Sequence, residues 1–257
     1  MELKIKQMHC GYNSKTVLKN VKFSIKTGEA ICLLGPNGIG KTTIFKTILG
    51  FIPIISGDIE IDGVDISKYS ASQLATHIAY VPQAKGYAYQ YSVLDMLLMG
   101  RSIHIGKFSS PAKSDIEFAE HVLKEMGLWE YRNRLYNELS GGEQQIVLVA
   151  RAVVQDTDFI LMDEPASNLD FNNESKLLET IKKLTTSGKG ILMISHSPSH
   201  AFLCCSKAIL LSRDREIKFG TVEEIITTEN LSDAYGVPVA VLTDTRDDKI
   251  LKTCCLY

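Results

Sequence analysis

Ala30-Ile31-Cys32-Leu33-Leu34 runs directly into Gly35-Pro36-Asn37-Gly38-Ile39-Gly40-Lys41-Thr42-Thr43. Five uninterrupted apolar residues bounded by turn formers read as a buried strand. The next residues match G-x-x-x-x-G-K-[ST], the pattern of a loop that wraps phosphate. Glycines let backbone N–H groups converge on phosphate oxygens without Cβ clashes. Lys41–Leu49 reads as the helix that follows, closed by Gly50. Its positive end points at the same phosphates. In this arrangement Lys41 neutralises the terminal phosphate oxygens and the Thr42 hydroxyl holds Mg²⁺. A strand before the loop and a helix after it are the context that the chemistry requires.

Further buried-strand signals lie on both sides of this stretch. Val21–Ile25 alternates apolar and polar residues, Ile59–Ile61 precedes an Asp62-Gly63 turn, and Ile78–Val81 is a short apolar run. Phe159–Met162, Ile191–Ile194 and Ala208–Leu211 repeat the pattern with helical stretches between them. Residues 84–154 have a different texture. Ser114 and Glu117 are spaced as a capping box, Ala119, Val122, Leu123 and Met126 share one helical face, and Gly127 ends that helix. A second long helix is expected from Ser140. The reading is an α/β core interrupted by a mostly helical insertion.

Phe159-Ile160-Leu161-Met162 ends in Asp163-Glu164. Carboxylates at a strand end beside a phosphate loop stand where α/β sheets bind ligands. Asp163 fits the Mg²⁺-associated carboxylate, and Glu164 the base that orients an attacking water. His196 follows another apolar strand, within reach of a terminal phosphate and that water. His9, His77, His104, His121 and His200 lack such context and are assigned no role.

Composition narrows the class. Among 257 residues, 45% are hydrophobic and 23% charged, which excludes a disordered or collagenous chain. No apolar run reaches the ~18 residues of a membrane span. The opening nine residues lack the apolar core of an export signal, so reduced thiols in the cytosol are expected. A net charge of −2 gives no electrostatic reason to expect nucleic acid. Cys10, Cys32, Cys204, Cys205, Cys254 and Cys255 form no C-x-x-C and no zinc spacing, and read as small hydrophobes.

Leu139-Ser140-Gly141-Gly142-Glu143-Gln144 is the sharpest further signal. Ser140 and Glu143 have capping-box spacing, which makes the segment a helix start and an anion site. A simple cap does not explain two consecutive glycines in a chain that also carries a phosphate loop. With these motifs the sequence resembles the ATP-binding subunit of ABC transporters over nearly its whole length. Tyr12 sits where that family stacks an aromatic on adenine. Gln83, in Tyr80-Val81-Pro82-Gln83, matches the Q-loop, which links nucleotide to the membrane subunit. Ser167-Asn168-Leu169-Asp170 matches the D-loop, with Asn where Ala is commoner, and His196 matches the switch histidine, although Ser197 replaces the frequent Asp.

The resemblance implies a P-loop NTPase core of the RecA-like, ABC type, with an antiparallel β portion and a helical subdomain insertion. It divides the chain into a nucleotide-binding core (1–83 and 155–220), a helical subdomain (84–154) and a C-terminal extension (221–257). It implies Lys41, Gln83, Glu164 and His196 as catalytic residues, and Thr42, Gln83 and Asp163 as ligands of Mg²⁺. ATP would touch Tyr12, the loop residues Gly35 to Thr43, Ser140, Gly141, Gly142, Glu143 and Asp170. It also implies a homodimer with two ATPs at its interface, two membrane permease subunits, an extracytoplasmic binding protein, and a place on the cytoplasmic face of the membrane.

A narrower resemblance rests on Ser92-Val93-Leu94-Asp95-Met96-Leu97-Leu98-Met99-Gly100-Arg101, Gly220-Thr221-Val222-Glu223-Glu224-Ile225-Ile226 and Tyr235-Gly236-Val237. These look like segments of iron-siderophore, haem and cobalamin importer ATPases. A molybdate or tungstate importer would look similar. A soluble ABC ATPase such as an iron–sulfur assembly factor is a second reading. A P-loop GTPase is a poor one, because no Asn-Lys-x-Asp occurs.

Overall fold

The computed structural model describes residues 1–13, 15–84, 90–106, 109–167, 169–246 and 249–257. Asn168, singled out above, lies outside them. The chain opens with β1 (Glu2–Tyr12) and β2 (Lys15–Lys26), then passes through β3 (Ala30–Leu34) and the loop into α1 (Lys41–Ile48). β4 (Ser56–Ile61), β5 (Val64–Asp65), α2 (Ala71–His77) and β6 (Ile78–Val81) follow. Helices α3 (Val93–Gly100), α4 (Lys113–Glu125) and α5 (Gly141–Val154) lie between β6 and β7 (Phe159–Asp163). The core resumes with α6 (Phe171–Thr186), β8 (Gly190–Ile194), α7 (Ser199–Cys204), β9 (Lys207–Leu211) and β10 (Ile217–Thr221). The chain closes with α8 (Val222–Ile225), α9 (Thr228–Tyr235) and a hairpin of β11 (Val239–Arg246) and β12 (Lys249–Leu256).

One sheet has the order β10-β9-β3-β8-β7-β6, with β9, β3, β8, β7 and β6 parallel. β3, β7 and β8 are buried along their whole length. That explains their continuous apolar runs: strands covered on both faces need apolar side chains at every position. The two faces feed two cores. Ala30, Cys32 and Leu34 join the core under α5 and α6, while Ile31 and Leu33 join a core with Phe45 of α1 and with the second sheet. That second sheet is antiparallel, in the order β2-β1-β4-β5.

This stacking positions the site. The loop leaves the C-terminal end of β3, Ser195 and His196 follow β8, Glu164 follows β7, and Gln83 follows β6. These strands are neighbours, so the four segments emerge along one sheet edge, where open α/β sheets bind ligands. Asp163 pairs with Ile194 in the β7–β8 register, which sets Glu164 beside the chain that leads to His196.

One sequence reading changes here. The helix expected behind Ser114 begins two residues earlier. Its N-cap is Ala112, which has no side-chain group to cap the helix but whose N–H donates to Asp115 (3.0 Å), leaving Ser114 and Glu117 inside the helix. Asp115 prevails because its carboxylate also receives Arg101 (3.0 Å). The C-terminal extension from Thr221 holds two helices and a hairpin. Among the described residues, no helix is long and apolar enough to cross a membrane.

Candidate active site

The phosphate loop is shaped by sterics. Gly35 (φ 143°) leaves no room for a side chain, since a Cβ there would lie 2.6 Å from the Leu211 carbonyl oxygen. Gly40 (φ 120°) is the N-cap of α1, and a Cβ would meet Leu18 at 2.9 Å and Val17 at 3.0 Å. No side chain caps α1, so its first N–H groups remain open to an anion. Lys41 is buried and donates to the carbonyls of Gly35 (2.6 Å) and Pro36 (3.0 Å), folding its ammonium back over its own loop.

A cleft of about 470 Å³ opens over this loop, lined by Tyr12, Gly38, Lys41, Thr42, Glu164 and His196 among others. Tyr12 is 41% exposed, and the Lys46 ammonium lies over its ring, 5.8 Å from the centroid. His196 Nε2 and Glu164 Oε1 are 2.6 Å apart. Glu164 has a left-handed backbone (φ 52°), a sparsely populated state for a residue with a side chain. Its N–H donates to the Ile194 carbonyl (3.2 Å) and its carbonyl accepts from the Ser167 hydroxyl (2.9 Å). The strained turn is therefore held from both sides.

Asp163 accepts from the Thr42 hydroxyl (3.5 Å) and from the Tyr80 hydroxyl (3.4 Å). Burial, together with the Glu164 charge, raises the Asp163 carboxyl above its ordinary range, against those hydrogen bonds and Lys41. Burial lowers the Lys41 ammonium, against the pull of Glu164 and Asp163. Two adjacent carboxylates with a hydroxyl beside them form an oxygen donor set short of positive charge. That set fits a hard divalent cation such as Mg²⁺.

Gln83 bonds to Ser167 rather than directly to this pair. Its amide donates to Ser167 (3.0 Å), and so reaches Glu164 through the Ser167 hydroxyl. Ser140 caps α5 in a closed box: its N–H donates to Glu143 (2.8 Å) and the Glu143 N–H donates back to its hydroxyl (3.3 Å). Against the burial that would raise it, bonds from Ser140 and from the Tyr131 hydroxyl hold Glu143 below the usual carboxylate range. Asp170 caps α6, accepting from the Asn173 N–H (2.8 Å). Neither Ser140–Glu143 nor Asp170 lines the cleft around the loop. Ser140 and Gly141 are exposed, and a Cβ on Gly141 would meet nothing within 4 Å.

The sequence reading passed over two groups. Gln145 of α5 is 1% exposed, and its amide brackets the Gln83 segment, accepting from the Ala84 N–H (2.8 Å) and donating to the Pro82 carbonyl (3.3 Å). It shares a helical face with Leu148, Val149 and Ala152, and an amide on such a face was the available signal. Tyr80 was quoted only as part of a motif. Tyr80→Phe removes one donor to a carboxylate, an effect of ~1 kcal/mol. The expected result is about a fivefold weaker Mg²⁺ dependence of ATP turnover with ATP binding unchanged. A Mg²⁺ titration of turnover checks it.

The cysteines are free thiols, and Cys10, Cys32 and Cys204 are buried. Among the described residues no cluster of three or more His, Cys, Asp or Glu side chains is placed to hold a metal ion.

Comparison with known proteins agrees with this geometry. The profile of the family described as ABC transporter matches residues 18–167, from within β2 through the phosphate loop and Glu164 to Ser167. An uncharacterized ABC transporter ATP-binding protein of Haemophilus influenzae is 38% identical over 98% of this chain and 96% of its own length. The manganese transport system ATP-binding protein MntB of Bacillus subtilis is also 38% identical, over 91% of this chain and 92% of its own. A solved chain of an ABC transporter described as of metal-chelate type, in an inward-facing conformation, superposes with a TM-score of 0.88. It is 29% identical and covers 99% of this chain and 97% of its own. With the phosphate loop, the carboxylate pair, the histidine and the Ser140 helix start on one such scaffold, the chain belongs to the ABC transporter family.

Proposed function

We propose that this chain binds and hydrolyses ATP to energise a membrane importer of a metal chelate. The observation that carries the hydrolytic part is the Glu164–His196 pair, at 2.6 Å, on the rim of the cleft over the phosphate loop. The loop amides, Lys41 and the α1 terminus bind the phosphates. Thr42 and Asp163 would hold Mg²⁺, which offsets phosphate charge when bound. Glu164 takes the proton of the attacking water, and His196 bonds to that carboxylate and faces the terminal phosphate. Gln83 reports on the site through Ser167.

Import of a metal chelate is supported by the metal-chelate type of the structural neighbour, by the manganese system of the Bacillus relative and by the importer-like segments of the sequence. The named relatives are transport components, which disfavours a soluble assembly factor. In this reading two copies pair head to tail around two ATPs, on the cytoplasmic face of the membrane. They bear on two permease subunits that a binding protein supplies.

The permease is expected to dock on the segment from Gln83 to Arg101, of which residues 85–89 lie outside the described set. Met96 and Leu97 turn out to be core residues, while Tyr91 and Met99 are exposed and Leu94 and Leu98 only partly buried. The outward side of α3 thus presents Leu94, Leu98 and Met99 beside the exposed Asp95, while its inner side is fixed. Cysteine crosslinking of the copurified complex tests this. Links from the permease should fall on Tyr91 and Met99. Links confined to residues 221–257, or failure of the chain to copurify with membrane subunits, would refute it.

A further inference from the structure

His200 has no motif context in the sequence, yet it stands in the helix that directly follows the loop carrying His196. It is 7% exposed, in the first turn of α7. Its Nε2 lies 2.8 Å from Glu174 Oε1 on α6, and its Nδ1 lies 2.8 Å from the Ser195 hydroxyl. The Glu174 carboxylate only accepts, so a neutral ring carries its proton on Nε2 and accepts at Nδ1. The Ser195 hydroxyl then donates to His200, and its oxygen receives the Ser197 N–H (3.0 Å). The residues on either side of His196 are therefore tied to α6 through one imidazole.

Among the described residues the His196 ring has one polar partner, Glu164 at 2.6 Å. The His196 side chain is 45% exposed, and a cavity of about 270 Å³, lined by Glu164, Glu174, His196 and His200 among others, lies beside it. With a cavity on one side, the ring depends for its position on the Glu164 contact and on its backbone. That backbone is anchored at Ser195 and Ser197. The anchor also closes a ring. Glu174 lies one turn past Asp170, the Ser167 hydroxyl is bonded to the Glu164 carbonyl, and Glu164 meets His196.

We propose that His200 is a positioning residue: through Ser195 and Glu174 it fixes His196 against Glu164 and couples that contact to the start of α6. The proposal rests on the hydrolytic reading of Glu164 and His196 given above. A merely structural buried histidine would hold α7 to α6 without regard to turnover.

The test uses the full-length chain with Mg²⁺–ATP, measuring kcat, KM and melting temperature together. His200→Ala is expected to lower kcat about 10- to 100-fold, the scale of a misplaced reacting group. KM should stay within about twofold, because the phosphate-binding groups are untouched. Glu174→Ala should match it, Glu174→Gln should restore turnover because its amide oxygen still accepts from Nε2, and the His200→Ala/Glu174→Ala pair should be no worse than either alone. The ring-nitrogen resonances of His196 should shift in His200→Ala and Glu174→Ala but not in Glu174→Gln. If His200→Ala does not fold, Glu174→Ala, at a partly exposed position, gives the same reading. Wild-type kcat in the folded alanine variants would overturn the proposal, as would a parallel loss in kcat, KM and stability. Glu164→Gln separates the two levels. Undiminished turnover there fails the hydrolytic reading itself, whereas an inactive Glu164→Gln beside a fully active His200→Ala fails this inference alone.

Discussion

Glu164→Gln is expected to keep ATP binding and to lose turnover about 10²- to 10⁴-fold, the range that a positioned general base supplies. Gln has nearly the shape of Glu, and its amide oxygen still accepts from His196 Nε2. The strained backbone at φ 52° is set by the Ile194 and Ser167 contacts and does not depend on the carboxylate. What disappears is the group that takes a proton from water. Binding should hold or improve, because a negative charge beside Asp163 is removed from the path of an anionic ligand. Lys41→Ala should do the opposite: the ammonium folded over Gly35 and Pro36 lines the cleft over the loop, and its loss weakens binding itself. Nucleotide-binding titrations beside steady-state turnover separate the two. Equal turnover in Glu164→Gln and the unaltered chain would remove Glu164 from its assigned role.

A mixed dimer of one Lys41→Ala chain and one Gly141→Asp chain is expected to retain one working nucleotide site. The loop, Lys41 and a cation offset phosphate charge from one side, while Ser140, Gly141 and Gly142 do not line the cleft of their own chain. They are a capped helix start whose Gly141 faces open space. A glycine that its own chain does not need, at the positive end of a helix, suits the close approach of an anion bound elsewhere. Gly141→Asp is chosen because an acid in the first turn favours the helix and repels a phosphate. If each site joins the loop of one copy to the Ser140 helix of the other, both lesions fall in one site and the second stays whole. If each site lies within one chain, no site is whole. Binding stoichiometry on the purified mixed dimer checks it: one occupied site supports the arrangement, and none rules it out.

The core of the site was legible because its chemistry requires a fixed local order. A buried strand, a glycine-rich loop and a helix start follow one another without a gap from Ala30, and the apolar run Phe159–Met162 ends in its two acids, so each could be placed without long-range information. The groups that hold those residues were harder to read, because each acts across the sheet. Tyr80 reaches Asp163 from the neighbouring strand, and Gln145 reaches Pro82 and Ala84 from α5. Glu174 was within reach of a closer reading. It stands three, four and seven residues before the buried Leu177, Leu178 and Ile181, so it lies on the inner face of α6 and needs a partner there. The hairpin at the chain end was missed for a different reason. Lys252-Thr253-Cys254-Cys255 has no clean alternation, since only part of β12 packs on the core. The box at Ser114 failed because two acids compete for one helix start, and Arg101, distant in sequence, favours Asp115.

The most direct test of the account is the structure of Glu164→Gln with Mg²⁺–ATP. Two nucleotides are expected in a two-fold pair, each with its β- and γ-phosphates on the loop from Gly35 to Thr43 of one copy. Tyr12 should lie against the adenine, the cation between Thr42 and Asp163, and Ser140 and Gly142 of the second copy on the γ-phosphate. Nucleotide bound away from the Gly35–Thr43 loop, or a γ-phosphate met by Ser140 of the same chain, would contradict it.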